Sequence, residues 1–245
     1  MKSHSTYDCI LSVWYKGVIT IIFDNLSNTP HFLGKNKGKT HFFRFSSSTK
    51  KVINSARVTG PVPLRLEVAL PGAVPSEAYF ACRYACLREP LGFPIGAERL
   101  EDDSRAIHAW WETDEGEVVA VGRIHRIPDD SDGAQSDHAG PEAAVCPAFT
   151  PLTADGARLR PAVQIRQMGT RDEWRRQGLA SGLVVALEAA AISHWGAKSG
   201  WLQARLEAIP MYAGEDWIQF GDEYDVKGIG PHRSMWKMLD GEDSD

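Results

Sequence analysis

Apolar and polar positions change period several times along the chain, and each change predicts an element. Residues 64–70 (Leu-Arg-Leu-Glu-Val-Ala-Leu) alternate and stop at Pro71-Gly72, which marks a first strand. Ser76 is a good helix N-cap, and Tyr79, Phe80, Cys82, Tyr84, Cys86 and Leu87 follow at helical spacing, so a helix runs from there to before Pro90. Residues 106–112 and 117–127 flank Asp114-Glu115-Gly116 and predict a hairpin. Its first strand sets Trp110 and Trp111 on opposite faces, one for the core and the other toward a cleft. Residues 128–161 are acidic and turn-rich, a loop long enough to act as a lid over a site. Residues 163–168 lie between Pro161 and Gly169 and form a short apolar-rich strand. From Ala180 the apolar positions Leu183, Val184, Leu187, Ala190, Ala191 and Trp195 make one wide helical stripe. A strand at 200–205, a short helix at 208–212 with Pro210 in its first turn, and strands at 216–220 and 234–239 complete the order.

The first sixty residues follow another rule. They carry nine Lys or Arg against two Asp, a balance of +7, and residues 61–245 carry 27 − 9 = 18 against 32 − 2 = 30, a balance of −12. No alanine precedes Ala56 and no glutamate precedes Glu67, so a boundary falls near residues 55–62. The chain thus divides into a basic extension (1–60), a domain (61–240) and an acidic tail (241–245). In the extension, two β-prone runs around Lys16-Gly17 fit a hairpin; each is too short to span a bilayer, and no cleavage site follows. His31, Phe32, His41, Phe42, Phe43, Arg44 and Phe45 could suggest nucleic-acid contact, but a solvated arm is the preferred reading and no function is assigned. Apolar content of 43% and charged content of 24% are those of a soluble globular protein. Cys82 and Cys86, four apart, read as small buried residues on one helix face, and the absence of Cys-x-x-Cys spacing points to a reducing, cytoplasmic compartment. Asp130, Asp132 and Gly133 resemble part of a calcium loop whose other ligands are missing, so no metal is expected.

The candidate chemistry lies between the strand at 163–168 and the helix that follows. Arg175-Arg176-Gln177-Gly178-Leu179-Ala180 opens into a helix N-terminus, where unpaired N–H groups and the positive end of the dipole converge. Small residues let a ligand approach the backbone, and two arginines add charged donors, so the turn suits a phosphate or pyrophosphate. It is neither a Gly-x-x-x-x-Gly-Lys-Ser/Thr loop nor a Gly-x-Gly-x-x-Gly turn. Arg175, Gly178 and Ala180 form Arg-x-x-Gly-x-Ala, and Ala208, Met211 and Tyr212 form Ala-x-x-Met-Tyr after the next strand. These two motifs, in this order of elements, resemble the acyl-coenzyme A signature of GNAT superfamily N-acetyltransferases across about residues 62–240.

The resemblance implies an α/β (α+β) fold with a mixed, mostly antiparallel sheet of six to seven strands, flanked by helices and splayed between the fourth and fifth strands. It implies that backbone groups of Gln167, Met168 and Gly169 receive the pantetheine arm of acetyl-coenzyme A. The pyrophosphate would rest on Gln177, Gly178, Leu179 and Ala180, with Arg175, Arg176 and Ser181 alongside. Tyr212 takes the place of the general acid, as a phenol near a helix N-terminus whose pKa approaches that of a thiol. Arg205 stands where relatives carry Asn, and Asp216-Trp217 where they carry Gly-Phe. No base carries over; His125, Glu207 or a water relay are the alternatives. The implied reaction is direct attack of a primary amine of a small molecule or peptide on acetyl-coenzyme A. The charge balance of the domain favours a cationic acceptor, with contacts from residues 91–96, Trp111 and the acidic loop. A homodimer is compatible with the fold, and neither membrane nor nucleic acid is expected as a partner. A non-catalytic acyl-coenzyme A sensor is the second reading, and nucleic-acid binding through the basic arm the third.

Overall fold

From residue 62 onward the elements follow the expected order, and their two hydrophobic faces fold onto one sheet. A computed structural model describes residues 62–137 and 143–239 in full, and of the extension only the backbone of 8–14, 18–24 and 57–58. In the extension β1 (Asp8–Trp14) pairs antiparallel with β2 (Val18–Asp24), the expected hairpin. The basic aromatic stretch and the acidic tail lie outside the described residues. The end of the extension adds β3 (Arg57–Val58) to the edge of the domain sheet, and the domain itself begins with β4 (Leu64–Ala69), α1 (Glu77–Leu87), β5 (Ile107–Thr113) and β6 (Val118–Arg126). Then come α2 (Thr150–Ala154), α3 (Gly156–Leu159), β7 (Ala162–Thr170), α4 (Leu179–Trp195) and β8 (Ser199–Arg205). The last three are α5 (Ile209–Ala213), β9 (Ile218–Val226) and β10 (Gly230–Met238). The sheet order is β3-β4-β5-β6-β7-β8-β10-β9, seven strands if the two-residue β3 is set aside.

Helix α1 begins where Ser76 Oγ accepts the Tyr79 N–H, and it covers one face of β6 and β7 with Tyr79, Phe80 and Cys82. Helix α4 covers the other face with Leu183, Val184 and Leu187 against β5 and β6. Trp110 packs on the α1 side and Trp111 on the α4 side, as the alternation requires. Both are buried, at 5% and 3% exposure, which corrects the expectation that one of them faces a cleft. The long loop is less open than its composition suggests, because α2 and α3 supply Leu152 and Leu159 to a third cluster around Trp201. Strands β9 and β10 extend well beyond the expected pair. Residues Asp222, Glu223 and Asp225 of β9 are exposed on a sheet edge, where no alternation marks a strand and acidic side chains discourage further pairing.

A single feature makes room for a site. Among the described strands β7 and β8 are the only parallel neighbours, and they pair at just three positions, Ala162↔Ser199, Val163↔Gly200 and Gln164↔Trp201. Beyond these each strand keeps its outer partner: β7 stays with β6 up to Thr170, and β8 with β10 up to Arg205. A register shift opposite Gln167, whose φ is 57°, bends β7 away at a bulge.

Charged groups pin this region from below. Arg83 on α1 and Arg123 on β6, both fully buried, share Asp103 at 3.0 and 2.8 Å, and Arg123 also grips Asp102 at 2.9 and 2.5 Å. Burial alone would raise the Asp102 pKa, but the hydrogen bonds and charge of Arg123 outweigh it and hold the carboxyl well below the usual range. Asp103→Ala would strand the buried Arg83 guanidinium and leave Arg123 to Asp102 alone, so it should destabilise the domain by about 3–5 kcal/mol, read as a drop of roughly 10 °C in Tm. A shift within 2 °C of wild type would show that the network contributes nothing.

Candidate active site

The anion-binding turn is built by backbone conformation more than by side chains. After β7 a short turn (Asp172–Trp174) leads to Arg175 in extended conformation and to Arg176 at φ 60°. Gly178 then takes φ 80° as the N-cap of α4 and carries no side chain to satisfy the first helical N–H groups. Trp111 fixes the turn from below: its indole N–H donates to the Leu179 carbonyl at 3.0 Å, and Gly182 lies against its ring. Gly178, Leu179, Ala180 and Ser181 line a cavity of about 530 Å³, together with Arg175 and Arg176. Gln177 does not line it; its side-chain amide donates to the Glu173 carbonyl outside, so only its backbone remains for the expected role. Arg175 is exposed and pairs with Asp172 at 2.8 Å.

The same cavity runs into the wedge between β7 and β8. Gln167, Met168 and Gly169 line it, as expected, but the Gln167 side chain is already engaged. Its Oε1 accepts from Arg88 Nη2 at 2.5 Å and its Nε2 donates to the Asp137 carbonyl at 2.9 Å. Gly169 lets β7 pass α1 closely, since a Cβ there would come within 2.7 Å of Cys86 Cβ. Cys82 is fully buried and Cys86 half-buried on the cavity wall, their sulfurs 3.9 Å apart. Asp137 and Cys146 bring the long loop to the cavity, the position expected of a lid, whereas Trp111 and residues 91–96 do not reach it. Asp132 Oδ1 only accepts the Ala134 N–H within its own turn, and among the described residues no His, Cys, Asp and Glu cluster is arranged to hold a metal.

Tyr212 also lines the cavity, at 6% exposure, with its ring edge on Trp217. It is the fourth residue of α5, away from the helix N-terminus, and burial raises its pKa well above the usual phenol value. The expected match to a thiol pKa is therefore corrected: the phenol stays protonated throughout the neutral range. Asp216 takes φ 64°, the left-handed conformation in which glycine is at ease, and Trp217 is buried with its indole N–H on Glu188 at 2.8 Å. Arg205 lines the cavity, with Glu207 at 3.9 Å.

His125 is not a base for this cavity. It is buried outside the lining, its Nε2 lies 3.0 Å from Gln135 Nε2, and burial with the Arg123 charge pushes its pKa far down. Glu207 reaches the cavity but its side chain is largely solvated. His232, which had not been singled out, lines the wall. Its Nδ1 lies 2.7 Å from the Gly230 carbonyl, an obligate acceptor, so Nδ1 bears the proton and Nε2 keeps a lone pair. Stacking on Tyr224 fixes the ring, and burial holds its pKa below the ordinary imidazole value. The only mark of it in the sequence is its place in the closing Gly-Ile-Gly-Pro-His stretch.

The charges around the cavity are not those of the whole domain. Arg88, Arg166, Arg175, Arg176 and Arg205 line it against Asp137 and Glu207, so its wall is cationic, in contrast to the domain balance that favoured a cationic acceptor. Among the described residues no helix is long and apolar enough to cross a membrane.

The acetyltransferase (GNAT) family model matches residues 76–214. The uncharacterized N-acetyltransferase YitI of Bacillus subtilis (strain 168) is 30% identical over 97 residues, which are 40% of this chain and 62% of that relative, so the match spans less than two thirds of its length. Among solved structures, Escherichia coli ElaA is 18% identical, with 71% of this chain and 99% of that chain covered at a TM-score of 0.49. An acyl-CoA N-acyltransferase from Pseudomonas aeruginosa is 16% identical, with 71% and 99% covered at 0.48.

A Cβ at Gly178 would meet nothing within 4 Å, so Gly178→Ala tests backbone strain alone. It should lower stability by about 1 kcal/mol, or roughly 2–4 °C in Tm. An unchanged Tm would mean that the turn relaxes out of the left-handed conformation.

Proposed function

Since this chain belongs to the acetyltransferase (GNAT) family and is an acyltransferase, we propose that it moves an acetyl group from acetyl-coenzyme A to a primary amine by direct attack. One observation carries this reading. The unpaired wedge between β7 and β8 joins an uncapped helix N-terminus at one end to a protonated phenol and a neutral imidazole on its walls. A cavity of about 530 Å³ is within the range of small-ligand and cofactor sites.

The donor supplies an activated acetyl thioester, and the chain supplies everything else. Backbone N–H groups of the first α4 turn and the dipole behind them hold a diphosphate, with Arg175 and Arg176 beside it. The free edges of β7 and β8 offer backbone groups to an extended amide-bearing arm, as a sheet edge does to an added strand. The Tyr212 hydroxyl donates a hydrogen bond to the departing sulfur, its raised pKa keeping the phenol neutral, and the thiolate takes up a proton from solvent as it leaves. His232 Nε2 takes the proton that the attacking nitrogen must lose. A sensor with the same cavity would bind coenzyme A without consuming the thioester, and turnover separates the two readings.

Gly178→Glu places a carboxylate where the diphosphate would sit, so calorimetry should show coenzyme A affinity reduced by at least about 100-fold, some 2.7 kcal/mol. Undiminished affinity would end the proposal.

Tyr212→Phe and His232→Gln should each lower kcat by roughly 10²–10⁴-fold while leaving coenzyme A affinity near wild type. The base must be neutral, so wild-type kcat should hold at neutral pH and decline as pH falls through a His232 pKa below 6.5. That acid limb should be absent from His232→Gln. An identical limb in the variant would remove His232 from the mechanism.

A further inference from the structure

The cavity continues past the reacting region to a second, differently built end. Arg166 lies four residues before Thr170 on β7, roughly 13 Å from the strand end that leads to Gly178. Beside it is Arg88, only 3% exposed, at the C-terminal cap of α1. Arg88 donates to the carbonyls of Ala97 and Leu87, both at 3.0 Å, to the Asp137 carbonyl at 3.5 Å and to Gln167 Oε1. Arg166 donates to Gln135 Oε1 at 2.8 Å and to the Ser136 carbonyl. Every hydrogen bond these two make to described residues therefore ends on a neutral oxygen.

The acids nearby are largely committed. Asp102 and Asp103 hold Arg123 and Arg83, and Glu98 accepts the Gly96 N–H and faces Arg99. Asp137 faces both Arg88 and Arg166. Glu98 also faces Arg88, so Arg83, Arg88, Arg123 and Arg166 stand against Asp102, Asp103, Asp137 and Glu98. Only Arg83 and Arg123 hydrogen-bond carboxylates, however, while Arg88 and Arg166 hydrogen-bond none among the described residues. Burial, and then the neighbouring Arg83 and Arg123 respectively, push the Arg88 and Arg166 guanidiniums down to about 10.

Resting on the acetyl-transfer reading, we infer that Arg88 and Arg166 receive the carboxylate of the acceptor, which is therefore an amino acid presenting its amine toward His232. A planar carboxylate is the group that guanidinium forks bind best at close quarters. His232 lines the same cavity as Arg88 and Arg166.

Matched pairs that differ only by the carboxylate test this: tyrosine and tyramine, histidine and histamine, lysine and cadaverine. The full-length enzyme should show kcat/KM at least tenfold higher for the acid-bearing members of one or more pairs, about 1.4 kcal/mol. Arg166→Met should bring that ratio close to one. Arg88→Met should do the same, each variant first being checked for native Tm and coenzyme A affinity. Equal or better use of the decarboxylated amines by wild type would overturn the inference, as would an unmoved ratio in a folded Arg166→Met enzyme. Preference for ethanolamine phosphate over every amino acid would overturn it too, by assigning the site to phosphate. If no amine is acetylated, the transfer reading fails by itself, and the carboxylate site is then read by binding. With coenzyme A present, an amino acid that raises the Tm of wild type but not of Arg166→Met supports it; no such shift overturns it.

Discussion

The separation of β7 from β8 is the constraint on which the rest of the structure depends. Two parallel strands that paired along their whole length would leave neither a cavity nor free backbone groups. Pairing stops after Gln164↔Trp201 because each strand remains bonded to its antiparallel outer neighbour, and those neighbours diverge. Exposed carbonyl and N–H groups along the wedge are tolerable while water reaches them, but costly, at about 1–3 kcal/mol each, once it does not. A ligand that displaces the water must therefore bring its own amides.

Holding the wedge open needs rigid flanks, and buried charge supplies part of that rigidity. The Gln167 bulge would relax if nothing held its side chain. Arg88 and the Asp137 carbonyl both hold it, and Arg83 approaches its Oε1 at 3.5 Å. Arg83 in turn is anchored through Asp103 to Arg123 of β6. Helix α1, the Asp102-Asp103 turn, β6 and the bulge are thus one electrostatic unit, and a charge added at the cavity wall would act on all of them.

What the sequence made legible is whatever local spacing encodes. Helix α4 and its turn were readable because the apolar stripe, Gly178 and the arginines are contiguous, and α1 because Ser76 precedes a clean helical pattern. Arg83, Arg88 and Arg166 were not readable, since charged residues at such positions normally mark a solvated face. Each has a partner at least 20 positions away, as far as 84 for Arg83 and Gln167, which no window of sequence contains. Tyr212 was found through its motif, but its pKa environment was misjudged, because a motif carries position and says nothing of depth. Strand β9 was cut short for a related reason: an edge exposed on both faces has no alternation to display.

Net charge misled in an instructive way. The excess of acids in the domain includes Asp222, Glu223 and Asp225 on the exposed edge of β9, where salt screens them over about 8 Å. Such charges govern solubility and long-range encounter, and they speak weakly inside a cavity. At the far end of the wedge the medium is poorly polarisable, so guanidiniums that hydrogen-bond no carboxylate outweigh many distant acids there. An acceptor can therefore be drawn toward an acidic protein for one part of its structure and recognised by arginines for another. A molecule that is amine at one end and carboxylate at the other satisfies both demands, while a simple polyamine would meet Arg88 and Arg166 with like charge.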